Sequence, residues 1–65
     1  MSRDDIRTDI RNALRHNPGL GQYYLVSQIS RHRDICCLSI NEVLDEMFRK
    51  GEIVRQGELV ILEES

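Results

Sequence analysis

The chain has 65 residues, 40% of them hydrophobic and 31% charged, with a formal net charge of -2. A chain of this length can build only one core, and its composition lies far from that of disordered segments. A core so small supplies about 3–5 kcal/mol unless a metal, a disulfide or a partner subunit adds to it, so a homodimer is one expectation. The acidic balance argues against strong unspecific attraction to a polyanion, although a basic stripe can coexist with acidic surface elsewhere.

Ser2 and Asp5 open the chain with a pair resembling a capping box, and Ile6, Ile10, Ala13 and Leu14 follow at helical spacing. The pattern stops at Asn17-Pro18-Gly19, so a first helix is expected over Arg3–His16. Arg3, Arg7, Arg11 and Arg15 recur every fourth residue along it, a stripe read as a solvated face paired locally with Asp4 and Asp9. Residues Leu20–Tyr23 could pair briefly as a strand with a later hairpin. A short second helix is expected over Tyr24–Arg31, with Leu25, Val26 and Ile29 inward; one of Tyr23 and Tyr24 is expected to pack on the core edge with its hydroxyl to water, and the other to stack or hydrogen-bond with a partner.

Arg33–Leu38 reads as a turn, after which Ser39 and Glu42 have the spacing of a capping box. Val43, Leu44, Met47 and Phe48 give an apolar stripe, and Arg49, Lys50 and Gly51 suit a helix C-terminus, so the third helix ends near Lys50. Asn41, Glu42, Asp45, Glu46, Arg49 and Lys50 are then what this helix offers outward. Beyond Gly51 the β-formers Ile53-Val54 and Leu59–Leu62 flank Gln56-Gly57, the pattern of a hairpin with its turn at those two residues. The whole of 1–65 is one domain, with residues 62–65 as a flexible tail.

The run Ser39–Arg55 resembles the recognition helix and wing of winged helix-turn-helix domains: an apolar pair, Val43-Leu44, an apolar residue a turn later, then Lys50-Gly51-Glu52-Ile53 leading into the wing. The fold class expected is therefore α+β, a small winged helix of three helices plus a C-terminal two-stranded hairpin. Residues 40 to 44 and Lys50-Gly51 also have a local likeness to Z-DNA-binding winged helices. That likeness breaks at Asp45, where that family places a tyrosine, and its activity is not carried over.

The resemblance implies a DNA-binding protein, a transcriptional regulator whose third helix enters the major groove while the second helix, the turn and the wing touch duplex DNA. The residues that would carry this are Arg31, His32, Arg33, Ser39, Asn41, Arg49, Lys50, Arg55 and Gln56. Glu42, Asp45 and Glu46 oppose it, because phosphates repel carboxylates. They support the alternative, a protein-interaction module that docks a basic partner on an acidic third helix.

No Gly-rich phosphate loop, nucleophile elbow or paired-acid arrangement occurs, so no enzyme and no cofactor is expected. His32, Cys36 and Cys37 lie within six positions, but adjacent cysteines present both thiolates to one metal poorly and a fourth ligand is missing, so no metal site is expected. One of the adjacent cysteines is read as a small buried apolar group, both as free thiols. No apolar run approaches the ~18 residues that span a bilayer, and Met1–Asp5 lacks a signal pattern, so no membrane partner and a cytoplasmic location are expected.

Overall fold

In a computed structural model that describes residues 3–63, the chain runs α1 (Arg3–His16), β1 (Leu20–Gly21), α2 (Gln22–Arg33), α3 (Cys37–Lys50), β2 (Ile53–Gln56) and β3 (Leu59–Leu62). Three helices and a three-stranded antiparallel sheet make the α+β layout of a small winged helix. The strand order is β1-β3-β2, with β3 central. Leu20 pairs with Val60 and Gly21 with Leu59, while Ile53 pairs with Leu62 and Gln56 with Leu59.

Each helix contributes one stripe to a single core. Ile6, Ile10 and Leu14 repeat every fourth residue on α1; Leu25, Val26 and Ile29 come from α2, and Ile40, Val43, Leu44 and Met47 from α3. Ile53 and Val60 close it from the sheet. All twelve are buried, and among the described residues no polar or charged residue is buried as a whole, so the core cluster itself is apolar. Ala13 and Phe48, expected on the apolar stripes, lie only partly buried at its rim.

Several boundaries differ from those the sequence suggests. Helix α2 is longer at both ends, because the two-residue β1 passes directly into it and the Gln22 N–H donates to Glu58 O at 3.3 Å. Only Leu20–Gly21 of the expected Leu20–Tyr23 strand is extended. At its other end α2 stops at Asp34, which adopts the left-handed conformation (φ 54°) and donates its N–H to Ser30 O. Ser30 Oγ donates to Ile35 O at 2.7 Å, so the turn closes over residues 34–36 alone.

α3 therefore begins at Cys37, with Cys36 as its cap residue, and no side chain caps it. Ser39 lies inside the helix, and the expected Ser39–Glu42 capping box does not form. Ser2 of the other such pair lies outside the described residues. At the far end Gly51 takes φ 75° and donates to Phe48 O at 3.2 Å, the glycine-terminated helix end expected there.

The hairpin turn is Gly57-Glu58, one residue later than expected. Gln56 stays in the ladder opposite Leu59, and Gly57, with φ 62°, supplies the positive φ that two-residue loops demand. The expected tail at 62–65 is shortened. Leu62 ends β3 and packs on the core, and Glu63 N–H donates to Glu52 O at 3.0 Å; residues 64 and 65 lie outside the described residues.

Candidate nucleic-acid interface

The charged side chains of α3 divide by helical position. Glu46 lies on the flank beside α1, and Leu38, Glu42, Asp45 and Arg49, at i, i+4, i+7 and i+11, form the outward ridge. Asn41 and Phe48 lie on the opposite flank, toward α2 and the wing.

Arg3, Arg7 and Arg11 of the α1 stripe reach acids outside α1, Glu42 and Glu46 of α3 and Glu52 just after it, where pairing with Asp4 and Asp9 was expected. Arg3 Nη2 donates to Glu42 Oε2 at 3.3 Å and Arg7 Nη2 to Glu46 Oε1 at 2.8 Å. Arg11 donates to Glu52, and Arg7 Nε lies 3.8 Å from the same carboxylate. Lys50 Nζ adds a 3.1 Å pair with Glu46 one turn away. The hydrogen bond and charge of Lys50, followed by the charges of Arg7 and Arg3, hold the Glu46 carboxyl below its usual value.

Asp9 is turned to α2, where Arg33 binds it through Nε at 2.6 Å and Nη2 at 2.9 Å. This bidentate pair raises the Arg33 pKa, the hydrogen bond being the larger cause. Of the nine residues expected to touch DNA, Arg33 and Lys50 are thus held by carboxylates. The arginines of α1 and Arg33 do not merge into one positive face.

Among the described residues no carboxylate lies within ion-pair distance of Arg31, Arg49 or Arg55. Arg55, on the wing, stands 5.0 Å over the Phe48 ring and donates to Gln22 at the start of α2. Gln22 lines a groove between α2 and α3 whose other residues include Tyr23, Val26, Ser27, Arg31, Cys37 and Asn41. Arg31 and Asn41 are thereby brought to one surface, joined through Gln22 to Arg55. Gln56 is exposed on the wing, and Ser39 is exposed on α3 seven residues before Glu46, hence on the α1 flank and not beside Asn41. His32 lies between the outer face of α2, with Arg31 and Tyr24, and the side beside Asp9 and Asn12.

Gln22 and Ser27 were not among the residues singled out from sequence, while Tyr23 and Cys37 were named there in other roles. Tyr23, Ser27 and Arg31 do follow at i, i+4 and i+8, a signal of a shared face once α2 is known to start at Gln22. Tyr23 is 87% exposed and Tyr24 63%, so neither packs on the core edge. Cys36 and Cys37 are both free thiols and both exposed, correcting the buried reading: α3 begins two residues early, which places them off its core stripe. Leu38, 68% exposed, adds an apolar point on the ridge.

Among the described residues no group of three or more His, Cys, Asp or Glu side chains is arranged to hold a metal ion, and no helix is long and apolar enough to cross a membrane. Compared with known proteins, the chain matches no family model, and no curated protein or solved structure matches it significantly.

Proposed function

We propose that this chain is a small winged-helix DNA-binding protein, a regulator that meets duplex DNA through the face shared by α2, α3 and the wing, as a homodimer in the cytoplasm. One observation carries the reading: the charges are segregated. Glu46 is drawn to α1 and bound by Arg7 and Lys50, Glu42 is paired with Arg3, and the opposite flank keeps Arg31, Arg55 and Asn41 without a carboxylate on them. Repulsion of phosphate by α3 then falls mainly to Asp45 and to Glu42, whose pair with Arg3 is exposed; both lie beside Arg49. In this reading Asn41 meets a base edge and Arg31, Arg49 and Arg55 meet phosphates.

Of the residues on which the alternative would dock a basic partner, Glu42, Asp45 and Glu46, Asp45 alone has no ion pair among the described residues. The Arg3–Glu42 contact is exposed on both sides and contributes about 0–1 kcal/mol, so Glu42 is the carboxylate that such a partner could still recruit.

Three phosphate contacts per copy set a modest electrostatic term. The slope of log K against log salt is then about -2.7 for one copy and about -5.4 for a dimer. Fluorescence anisotropy with a short labelled duplex between about 50 and 200 mM salt reads this slope. A slope near either value, lowered by about 0.9 per copy in Arg31→Ala, supports the reading; no binding at the lowest salt contradicts it.

A further inference from the structure

Beyond its net positive end, the groove between α2 and α3 has a composition that phosphate binding alone does not require. Its walls are two helical rows: Tyr23, Ser27 and Arg31 on α2, and Cys37 and Asn41, one turn apart, on α3. Val26 adds apolar surface between them, and no carboxylate lines the groove. At about 550 Å³ it falls within the ~300–1,000 Å³ of small-ligand sites, although it is open along its length. It combines a wide aromatic face, a neutral amide carrying two donors and an acceptor, and a guanidinium with no carboxylate partner among the described residues.

We propose that this groove holds one unstacked nucleotide of a DNA strand, its base against the Tyr23 ring with its edge toward the Asn41 amide, and its phosphate at Arg31. The inference rests on the DNA-binding reading and names the part of the nucleic acid that this groove takes. A base inside a duplex has both faces covered by its neighbours and offers only its edge, so a tyrosine ring standing out from α2 has nothing there to stack on. An extruded, bulged or single-stranded base exposes that face. The apolar Val26 and Cys37 surface suits the base, and the charge of Arg31 is complementary to the phosphate that follows it. The Asn41 amide can pair with a Watson–Crick edge freed from its partner strand, which sets it apart from amides that only graze a groove.

Three labelled DNAs of one sequence test this by anisotropy: the paired duplex, the same duplex with a one-base bulge, and the single strand. The protein is expected to bind the bulged duplex and the single strand more tightly than the paired duplex. Tyr23→Ala is expected to weaken those two by about 5- to 150-fold, the loss of one base–aromatic stack, and so to remove their advantage over the paired duplex, while Tyr23→Phe retains the preference. Because Tyr23 is almost fully exposed, both variants keep the fold, which circular dichroism checks.

A second readout follows the thiol. In a Cys36→Ser variant, the single strand is expected to slow maleimide alkylation of Cys37. Equal affinity for all three DNAs, or a Tyr23→Ala variant that keeps the preference, overturns the proposal while paired-duplex binding leaves the DNA-binding reading standing. Free nucleoside monophosphate that competes as well as the single strand overturns the assignment to a strand. Failure to bind any of the three overturns both.

Discussion

Arg7 of α1 and Glu46 of α3, 39 residues apart in the chain, meet at 2.8 Å, and the same arginine reaches toward Glu52 at the entrance to the wing. Both partners are less than one-third exposed, so the pair is screened less than its neighbour Arg3–Glu42, which is open to water on both sides. Arg7 Nε and Glu52 Oε2 are buried and have no hydrogen-bond partner among the described residues. The electrostatic contact that joins α1 to α3 and the start of the hairpin is therefore centred on Arg7.

Arg7→Ala is expected to lower stability by about 1–3 kcal/mol, because it leaves two half-buried carboxylates short of a charged donor. Arg3→Ala, at the exposed end of the same stripe, is expected to cost about 0–1 kcal/mol. Urea denaturation of the two variants separates them; equal losses would show that burial does not grade the stripe.

Glu46 gives the fold an acid-sensitive contact. Its carboxyl is held below the usual value, first by Lys50, then by Arg7 and Arg3. A depressed carboxylate pKa contributes stability that is present above the unfolded-chain value, about 4.3, and is lost as the pH falls through the folded value. The melting temperature of the wild type is thus expected to exceed that of Glu46→Gln near neutrality. The gap should close as the pH is lowered below about 4; thermal circular dichroism across that range measures it.

The Arg33–Asp9 pair removes a cation from the face proposed for DNA. Asp9→Asn breaks its charge complement while keeping the size of the side chain, and releases Arg33 at the C-terminal end of α2, two residues after Arg31. DNA affinity at low salt is expected to rise, with the salt slope steeper by up to about 0.9 per copy. An unchanged slope in an anisotropy titration would place Arg33 outside the contact surface.

Local patterns made much of this fold legible. The fourfold spacing of Ile6, Ile10 and Leu14 bounds α1, and Lys50-Gly51 marks the end of α3, because apolar periodicity and a left-handed glycine are both properties of a few neighbouring residues. Starts and turns were harder to read. Ser39 and Glu42 have the spacing of a cap, yet the tight turn at Asp34 starts α3 two residues earlier, a consequence of the Ser30–Ile35 contact rather than of any capping side chain.

The site was legible as residue types and illegible as pairings. Arg31, Asn41 and Arg55 can be picked out one by one, but nothing in the spacing of Arg7 and Glu46 says that the α1 stripe faces the acids of α3. That depends on how two amphipathic helices rotate about their shared core. The charge segregation that favours one flank of α3 over the other is for this reason a tertiary property.

The central claim is that the α2, α3 and wing face meets DNA while the arginines of α1 are occupied within the fold. Amide chemical-shift mapping by NMR, with a short duplex titrated into the labelled protein at low salt, tests it most directly. The account predicts that the largest shifts fall at Gln22, Arg31, Asn41, Arg49 and Arg55, with Arg7, Arg11 and Glu46 little changed. Shifts concentrated along Arg3, Arg7 and Arg11, or none on the α2–α3 flank, would contradict it.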